Sequence, residues 1–287
     1  MPQDSAMTSS ASTVTECWSS GRWWAWAVVP LAALALALAV QMQAGSSTAA
    51  LMNHALFSTI NHAASPWPAR VWSALTAIGD ASVLFALLSP LVLIRPQALA
   101  AVLAAVPVGG LFSVLLKRLF DAPRPAAVLD VAQFHLIGPL LSNHSFPSGH
   151  TISAFAAAVA VLAVLQPAAR TSGPSAIRFT GFFIAAIGLA TAVGISRVAV
   201  GAHWPVDVLA GAACGWLAGL SGAAVSRRWP LLWQGARSQR CLTVVLIGIA
   251  VSLLWRPLDY PLGAPIVWLS VASVVMTAVI LWVRARV

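Results

Sequence analysis

The chain reads as an all-α, polytopic helical bundle in a membrane, with a six-helix core followed by two further spans, about eight transmembrane helices in all. Three observations predict this. Of 287 residues, 60% are hydrophobic and 8% charged, and mean hydropathy is +0.87, where a soluble domain carries about 25% charged residues. Apolar runs long enough to cross a hydrocarbon core of about 30 Å recur near 24–42, 78–95, 98–119, 150–166, 177–196, 205–225, 241–255 and 265–283. Threaded through eight spans with the N-terminus inside, ten of the sixteen basic residues also fall on the cytoplasmic side, the bias of the positive-inside rule.

Taken in order, residues 1–21 are polar and Ser/Thr-rich, which predicts a disordered cytoplasmic tail. Arg22 opens the membrane core, 22–226, and the long run behind it reads as an uncleaved anchor rather than a signal peptide. Met52, Leu56 and Ile60 recur at helical spacing with Asn53, His54, Asn61 and His62 offset from them, the pattern of an interfacial amphipathic helix. Pro66-Trp67-Pro68 ends it. Pro90, Pro107 and Gly109-Gly110 interrupt the next two spans, a defect that neighbouring helices tolerate, and Asp80 after Gly79 reads as a helix N-cap. Gly211, Gly215 and Gly219 form a small-residue stripe for close helix packing. Residues 227–287 form an Arg-rich loop and a helical hairpin, with Arg256 and Asp259 in its turn, expected to lie outside the chemistry.

The net charge of +9 would suggest nucleic acid in a soluble protein, but in a membrane it reports topology and no nucleic-acid partner. With the N-terminus inside, Arg22, Arg95, Arg170, Arg178, Arg227, Arg228, Arg237, Arg240, Arg284 and Arg286 fall on the cytoplasmic side. Arg70, Lys117, Arg118, Arg124, Arg197 and Arg256 fall outside, and each is an exception that needs a reason. Cys17, Cys214 and Cys241 provide neither a disulfide framework nor zinc spacing.

Three stretches hold most of the polar anomalies, and the topology puts each at the outer end of a span. Lys117 and Arg124 flank the turn where the third span leaves the membrane. Basic groups there need an anionic partner, because charge is costly in a membrane helix. Ser148, Gly149 and His150 open the fourth span. A helix N-terminus offers free N–H groups and partial positive charge, Ser148 adds a hydroxyl, and Gly149 admits close approach to the backbone. Arg197, His203 and Asp207 surround the turn between the fifth and sixth spans, with Pro205 suited to the first helical position. Asp207 can then reach back to His203, fix its tautomer and leave the other ring nitrogen free as nucleophile or base. Cations, a helix N-terminus and two histidines at one surface point to phosphate. A metal is disfavoured, since Asp207 is the single well-placed carboxylate and no His-x-x-x-His pair occurs.

At these residues the sequence resembles the type 2 phosphatidic acid phosphatase superfamily, which includes membrane lipid phosphatases, bacterial acid phosphatases and vanadium haloperoxidases. Lys117-x6-Arg124-Pro125, Pro147-Ser148-Gly149-His150 and Ser196-Arg197-x5-His203-x3-Asp207 match its three signature motifs in order, within a resemblance spanning roughly 50–226. The resemblance implies that His203 attacks phosphorus to form a phosphohistidine, that Asp207 holds its ring, and that His150 protonates the leaving oxygen and later activates water. It implies that Lys117, Arg124, Ser148, the Gly149 N–H and Arg197 hold the non-bridging oxygens, with no metal or other cofactor. It also implies a lipid phosphate or pyrophosphate substrate entering from the bilayer, hydrolysed at the periplasmic or extracellular face of a bacterial inner membrane.

Undecaprenyl pyrophosphate, phosphatidylglycerophosphate, phosphatidic acid and a lipid A-type phosphate all satisfy these motifs, and the Ala/Trp/Arg-rich, Lys-poor composition leans toward the first. A phosphotransferase between lipids would carry the same motifs. A non-catalytic lipid transporter or scaffold would need the cations, but it has no use for a nucleophile with an orienting carboxylate.

Overall fold

A computed structural model describes residues 25–43, 48–166, 174–230, 233–284 and 286. The expected N-terminal tail and Cys17 lie outside them. The described residues are helical, with no strand among them. The principal helices are α1 (Ala25–Met42), α2 (Thr48–Ala64), α3 (Ala69–Gly79), α4 (Ala81–Leu87), α5 (Pro96–Phe120), α6 (Gly149–Leu165), α7 (Pro174–Ala199), α8 (Pro205–Arg228), α9 (Ala236–Trp255) and α10 (Ala264–Arg284).

Five stretches, those carrying α5, α7, α8, α9 and α10, are long and apolar enough to cross a membrane. The protein is therefore multi-pass. Two shorter apolar helices, Trp26–Met42 and Gly149–Leu165, account for two more of the predicted runs.

The remaining run, 78–95, is not a straight span. Helices α3 and α4 meet at an 82° bend, and after α4 the chain continues through a single turn at Leu91–Ile94. The bend sits where Asp80 adopts an extended conformation and its carboxylate accepts the N–H groups of Ser82 and Val83. This is the N-cap that the Gly79-Asp80 pair predicts. It starts a new helix in a new direction, and hydropathy alone carries no such instruction.

The centre of the bundle is α8 packed against α5 and α6. The glycine stripe explains the closeness. A Cβ on Gly211, Gly215 or Gly219 would lie 2.7, 2.5 or 2.7 Å from the carbonyl oxygens of Ser148, Ile152 and Ala156, so α8 rides directly on the α6 backbone. Small side chains do the same between α5 and α6, through Ala98, Ala101, Ala157 and Ala160. The C-terminal hairpin packs on α4 through Val83, Leu246, Leu253 and Val274.

Helix α2 is amphipathic as expected, with Met52 and Leu56 exposed on its outer side. Much of its polar face, through Asn53, His54 and Asn61, points into the protein, while His62 is exposed. Asn61 is fully buried. Its Oδ1 accepts the His135 N–H at 2.8 Å, while Nδ2 donates to the carbonyls of His135, Val198 and Ala199 at 2.9, 3.1 and 3.1 Å. Asn53 accepts the Val206 N–H, and the His54 ring stacks on Trp204 at 4.3 Å. Helix α2 thus braces the 120–148 loop and both sides of the α7–α8 turn. Replacing Asn61 with Leu strands buried backbone groups at a cost of about 1–3 kcal/mol each. The variant is expected to unfold in detergent several degrees below the parent, and an unchanged midpoint would show that the clamp is dispensable.

Candidate active site

Four helix ends meet at one side of the bundle: the C-termini of α5 and α7 and the N-termini of α6 and α8. Sequence motifs up to ninety residues apart are joined there because the intervening loops fold back on the bundle. The Arg124 N–H bonds the Ser142 carbonyl, Ser145 N–H the Ala122 carbonyl, and Ser148 N–H the Asp207 carbonyl.

His203 sits in the short turn between α7 and α8. Its backbone N–H, like that of Ala202, donates to the Arg197 carbonyl at 3.1 Å, closing the turn. The ring is 2% exposed. Nδ1 lies 3.3 Å from Asp207 Oδ2, and Nε2 lies 3.2 Å from Arg124 Nη1. A guanidinium can only donate, so Nε2 presents its lone pair and the ring proton belongs on Nδ1, toward the carboxylate. This is the tautomer an Nε2 nucleophile needs.

Asp207 occupies the first turn of α8 behind Pro205 and is fully buried. Besides His203, its Oδ2 accepts from Ser145 Oγ at 2.5 Å and from the Trp204 N–H at 2.9 Å. Three donors on one oxygen hold the carboxylate rigidly. Ser145 is a candidate-site residue that the sequence did not single out. Its partner is 62 positions away, and no local pattern marks it.

The cations gather around the same turn. Arg124 is 8% exposed, and its Nε and Nη1 donate to the carbonyls of Asn143 and Ala202 at 2.9 and 3.0 Å. Arg197 is 2% exposed, and its Nε and Nη1 have no hydrogen-bond partner among the described residues. Lys117 lies within electrostatic reach of Arg124, Arg197 and Asp207. Asp121 neutralises none of these, because it ends α5 in a left-handed conformation and pairs with exposed His144 at 3.0 Å. A buried, always-charged group with free donors is costly unless an anion completes it.

Ser148 stands at the N-cap position of α6 without making a capping bond. Its hydroxyl instead accepts from Thr151 Oγ1 at 2.9 Å, which leaves its own proton to donate. A Cβ on Gly149 would meet nothing nearer than Ser113 Oγ at 3.9 Å, so the backbone there faces open space. His150 lies within electrostatic reach of His203, Lys117, Arg124 and Arg197. It lines a 310 Å³ cavity between α4, α5 and α6 with Asp80, Gly109, Gly110 and Ser113. All eight residues singled out from the sequence, Lys117, Arg124, Ser148, Gly149, His150, Arg197, His203 and Asp207, thus belong to this one end of the bundle. Among the described residues, no three His, Cys, Asp or Glu side chains gather in a metal-binding cluster.

Burial holds the His203 imidazole well below its ordinary pKa, reinforced by Arg124, Arg197 and Lys117. A depressed value in the folded protein means that the ring stays neutral as pH falls through about 6.5, while the unfolded chain takes up the proton. Titration of ¹⁵N-histidine resonances in detergent, assigned with a His203→Gln variant, is expected to find His203 neutral at pH 6. A midpoint at or above 6.5 would contradict this electrostatic picture.

A family model of the PAP2 superfamily matches residues 98–230. The lipid A 1-phosphatases of Rhizobium etli and Rhizobium johnstonii are each 37% identical over 131 residues, 44% of this chain and 49% and 46% of theirs. The chain thus spans about half the length of the curated relatives it matches. The crystal structure of Aquifex aeolicus LpxE superimposes with a TM-score of 0.50 at 29% identity, covering 62% of this chain and 95% of that one. The PAP2-type phosphatidylglycerolphosphate phosphatase from Bacillus subtilis superimposes with a TM-score of 0.52 at 23% identity, covering 69% and 96%, and shows the shared fold.

Proposed function

Because the chain belongs to the PAP2 superfamily through residues 98–230, we propose that it is a metal-independent membrane lipid phosphatase acting through a phosphohistidine. The observation that carries this reading is His203, with Nδ1 held toward Asp207 and Nε2 against Arg124. Arg124 marks where an anion belongs. When a phosphate arrives, its oxygens replace Nε2 as the acceptor of the guanidinium, and the freed lone pair faces phosphorus.

His203 attacks while His150 protonates the leaving oxygen. His150 then takes a proton from the water that hydrolyses the phosphohistidine. Lys117, Arg124, Arg197, the Ser148 hydroxyl and the Gly149 N–H stabilise the charge that develops on the non-bridging oxygens. Three fixed cations supply what a metal would otherwise supply. Asp207 goes on accepting the hydrogen bond from His203 Nδ1 and stabilises the imidazolium that forms on attack and is discharged on hydrolysis.

The proposed substrate is the phosphate of a lipid A-type glycolipid. Composition leaned toward undecaprenyl pyrophosphate, but identity to two lipid A 1-phosphatases across the motif region is a stronger guide to the headgroup. The cavity beside His150 has apolar walls that include Leu84, Phe85 and Val106, which suits lateral access for a lipid. The proposed orientation is periplasmic or extracellular, in the inner membrane of a bacterium. Arg227 and Arg228 close α8 at the end opposite Asp207, with Arg237 and Arg240 following at the start of α9, and the helix separates Asp207 from Arg227 by about 30 Å.

The test is phosphate release by the detergent-purified protein from lipid A, undecaprenyl pyrophosphate, phosphatidylglycerophosphate and phosphatidic acid, with EDTA present. EDTA-resistant release from lipid A above the others is expected. Release that disappears with EDTA overturns metal independence, and phosphate found only on a second lipid makes the enzyme a transferase.

A further inference from the structure

The hairpin outside residues 98–230 meets Arg197 through Tyr260. Tyr260, in the turn between α9 and α10, lies with its ring centroid 5.2 Å from the Arg197 guanidinium carbon. It is 8% exposed and packs with Trp72, Ile137, Val200 and Ala202. Gly138 makes room for it: at φ +89°, a Cβ there would lie 2.5 Å from the ring. The tyrosine hydroxyl is buried without a hydrogen-bond partner among the described residues.

The turn itself is clamped in place. Arg256 donates to Asp80 at 2.7 Å, tying it to the residue that caps the α3–α4 bend. A Cβ on Gly263 would lie 2.7 Å from the Ser73 carbonyl oxygen, so the turn lies directly on α3. Arg256 thereby gains a reason for its place on the outer side.

We propose that Tyr260 is a positioning residue for Arg197, and that the C-terminal hairpin completes the phosphate site by delivering it. This rests on the reading that Arg197 binds phosphate. Its physical logic is that a buried guanidinium needs stabilisation that does not consume its N–H groups. A carboxylate would neutralise the charge and occupy the donors. An aromatic face attracts the cation through its quadrupole and leaves Nε and Nη1 pointing at the anion. The flat guanidinium also matches the ring in a way an ammonium does not. The hairpin is therefore not an addition remote from the chemistry.

Orthovanadate inhibition reads the site directly. Tyr260→Met, close in volume but without a π face, is expected to raise the vanadate inhibition constant about ten-fold, and Tyr260→Phe to stay within about three-fold of the parent. In a cycle with Arg197→Ala, the double variant should bind vanadate no worse than Arg197→Ala alone. Additive losses would overturn the inference while leaving the phosphate site intact. An Arg197→Ala variant with parental vanadate affinity would instead overturn the phosphate reading of Arg197. Should Tyr260→Met fail to fold, progressively fluorinated phenylalanines at position 260 keep the shape and weaken the π face. A vanadate constant that climbs with fluorination supports the role, and a flat series overturns it.

Discussion

Replacing His203 with alanine is expected to lower lipid phosphate release by about 10³- to 10⁶-fold, with no acid-labile phosphoenzyme trapped from labelled substrate. The expected loss is large because the imidazole has no substitute at this point in the site. His150, the other histidine within reach, sits at the start of α6 in front of the 310 Å³ cavity, and its proposed task is a separate one at the leaving oxygen. The loss should also be confined to chemistry. With the imidazole gone, Asp207 Oδ2 still accepts from Ser145 and Trp204, and Arg124 keeps its carbonyl partners at Asn143 and Ala202. The variant is therefore expected to remain folded and to bind vanadate. Release within ten-fold of the parent would mean that phosphorus is attacked by water or by another group, and the phosphohistidine mechanism would fall.

Converting Asp207 to asparagine should cost about 10⁴-fold in kcat, the scale seen when the carboxylate of a carboxylate–histidine pair is neutralised, with KM changed far less. Three donors converge on the one oxygen of Asp207: the Ser145 hydroxyl, the Trp204 N–H and His203 Nδ1. An asparagine can offer one oxygen to the three, but it brings no negative charge to the imidazolium that forms as the phosphoryl group arrives. With its amide turned the other way, it confronts the donors with N–H groups and forces the wrong tautomer on His203. Ser145→Ala removes only one of these bonds and is expected to cost about ten-fold. Steady-state kinetics on the two variants side by side check both figures. An Asp207→Asn enzyme within ten-fold of the parent in kcat would show that His203 is oriented by something else.

The sequence by itself determined the apolar solvent of this chain and most of its helical runs, and it singled out the eight residues that the fold gathers at one end of the bundle. These signals are local. Apolar runs set spans because lipid admits only helices with satisfied backbones. Pro205 and Asp207 mark a helix start by their own conformational and capping preferences, and Asp80 after Gly79 marks another. Lys117, Arg124 and Arg197 stood out because each breaks the charge rule of its own loop. The glycine stripe announced a close helix contact without saying which helix would fill it.

Tertiary structure decided the rest, because the remaining partners are distant and leave no periodic trace. Asn61 binds backbone 74, 137 and 138 positions away, and the amphipathic pattern of α2 says only that a polar face exists, not what it meets. Ser145 looks like any serine before a helix until the fold brings Asp207 to it. The 82° bend required knowing that the chain after the Asp80 cap could turn under the hairpin. Tyr260 lies where composition shows only a turn between two spans, and it meets Arg197 because that turn packs on α3. A buried cation states in the sequence that it needs partners; which anion and which aromatic face supply them depends on how the helices pack.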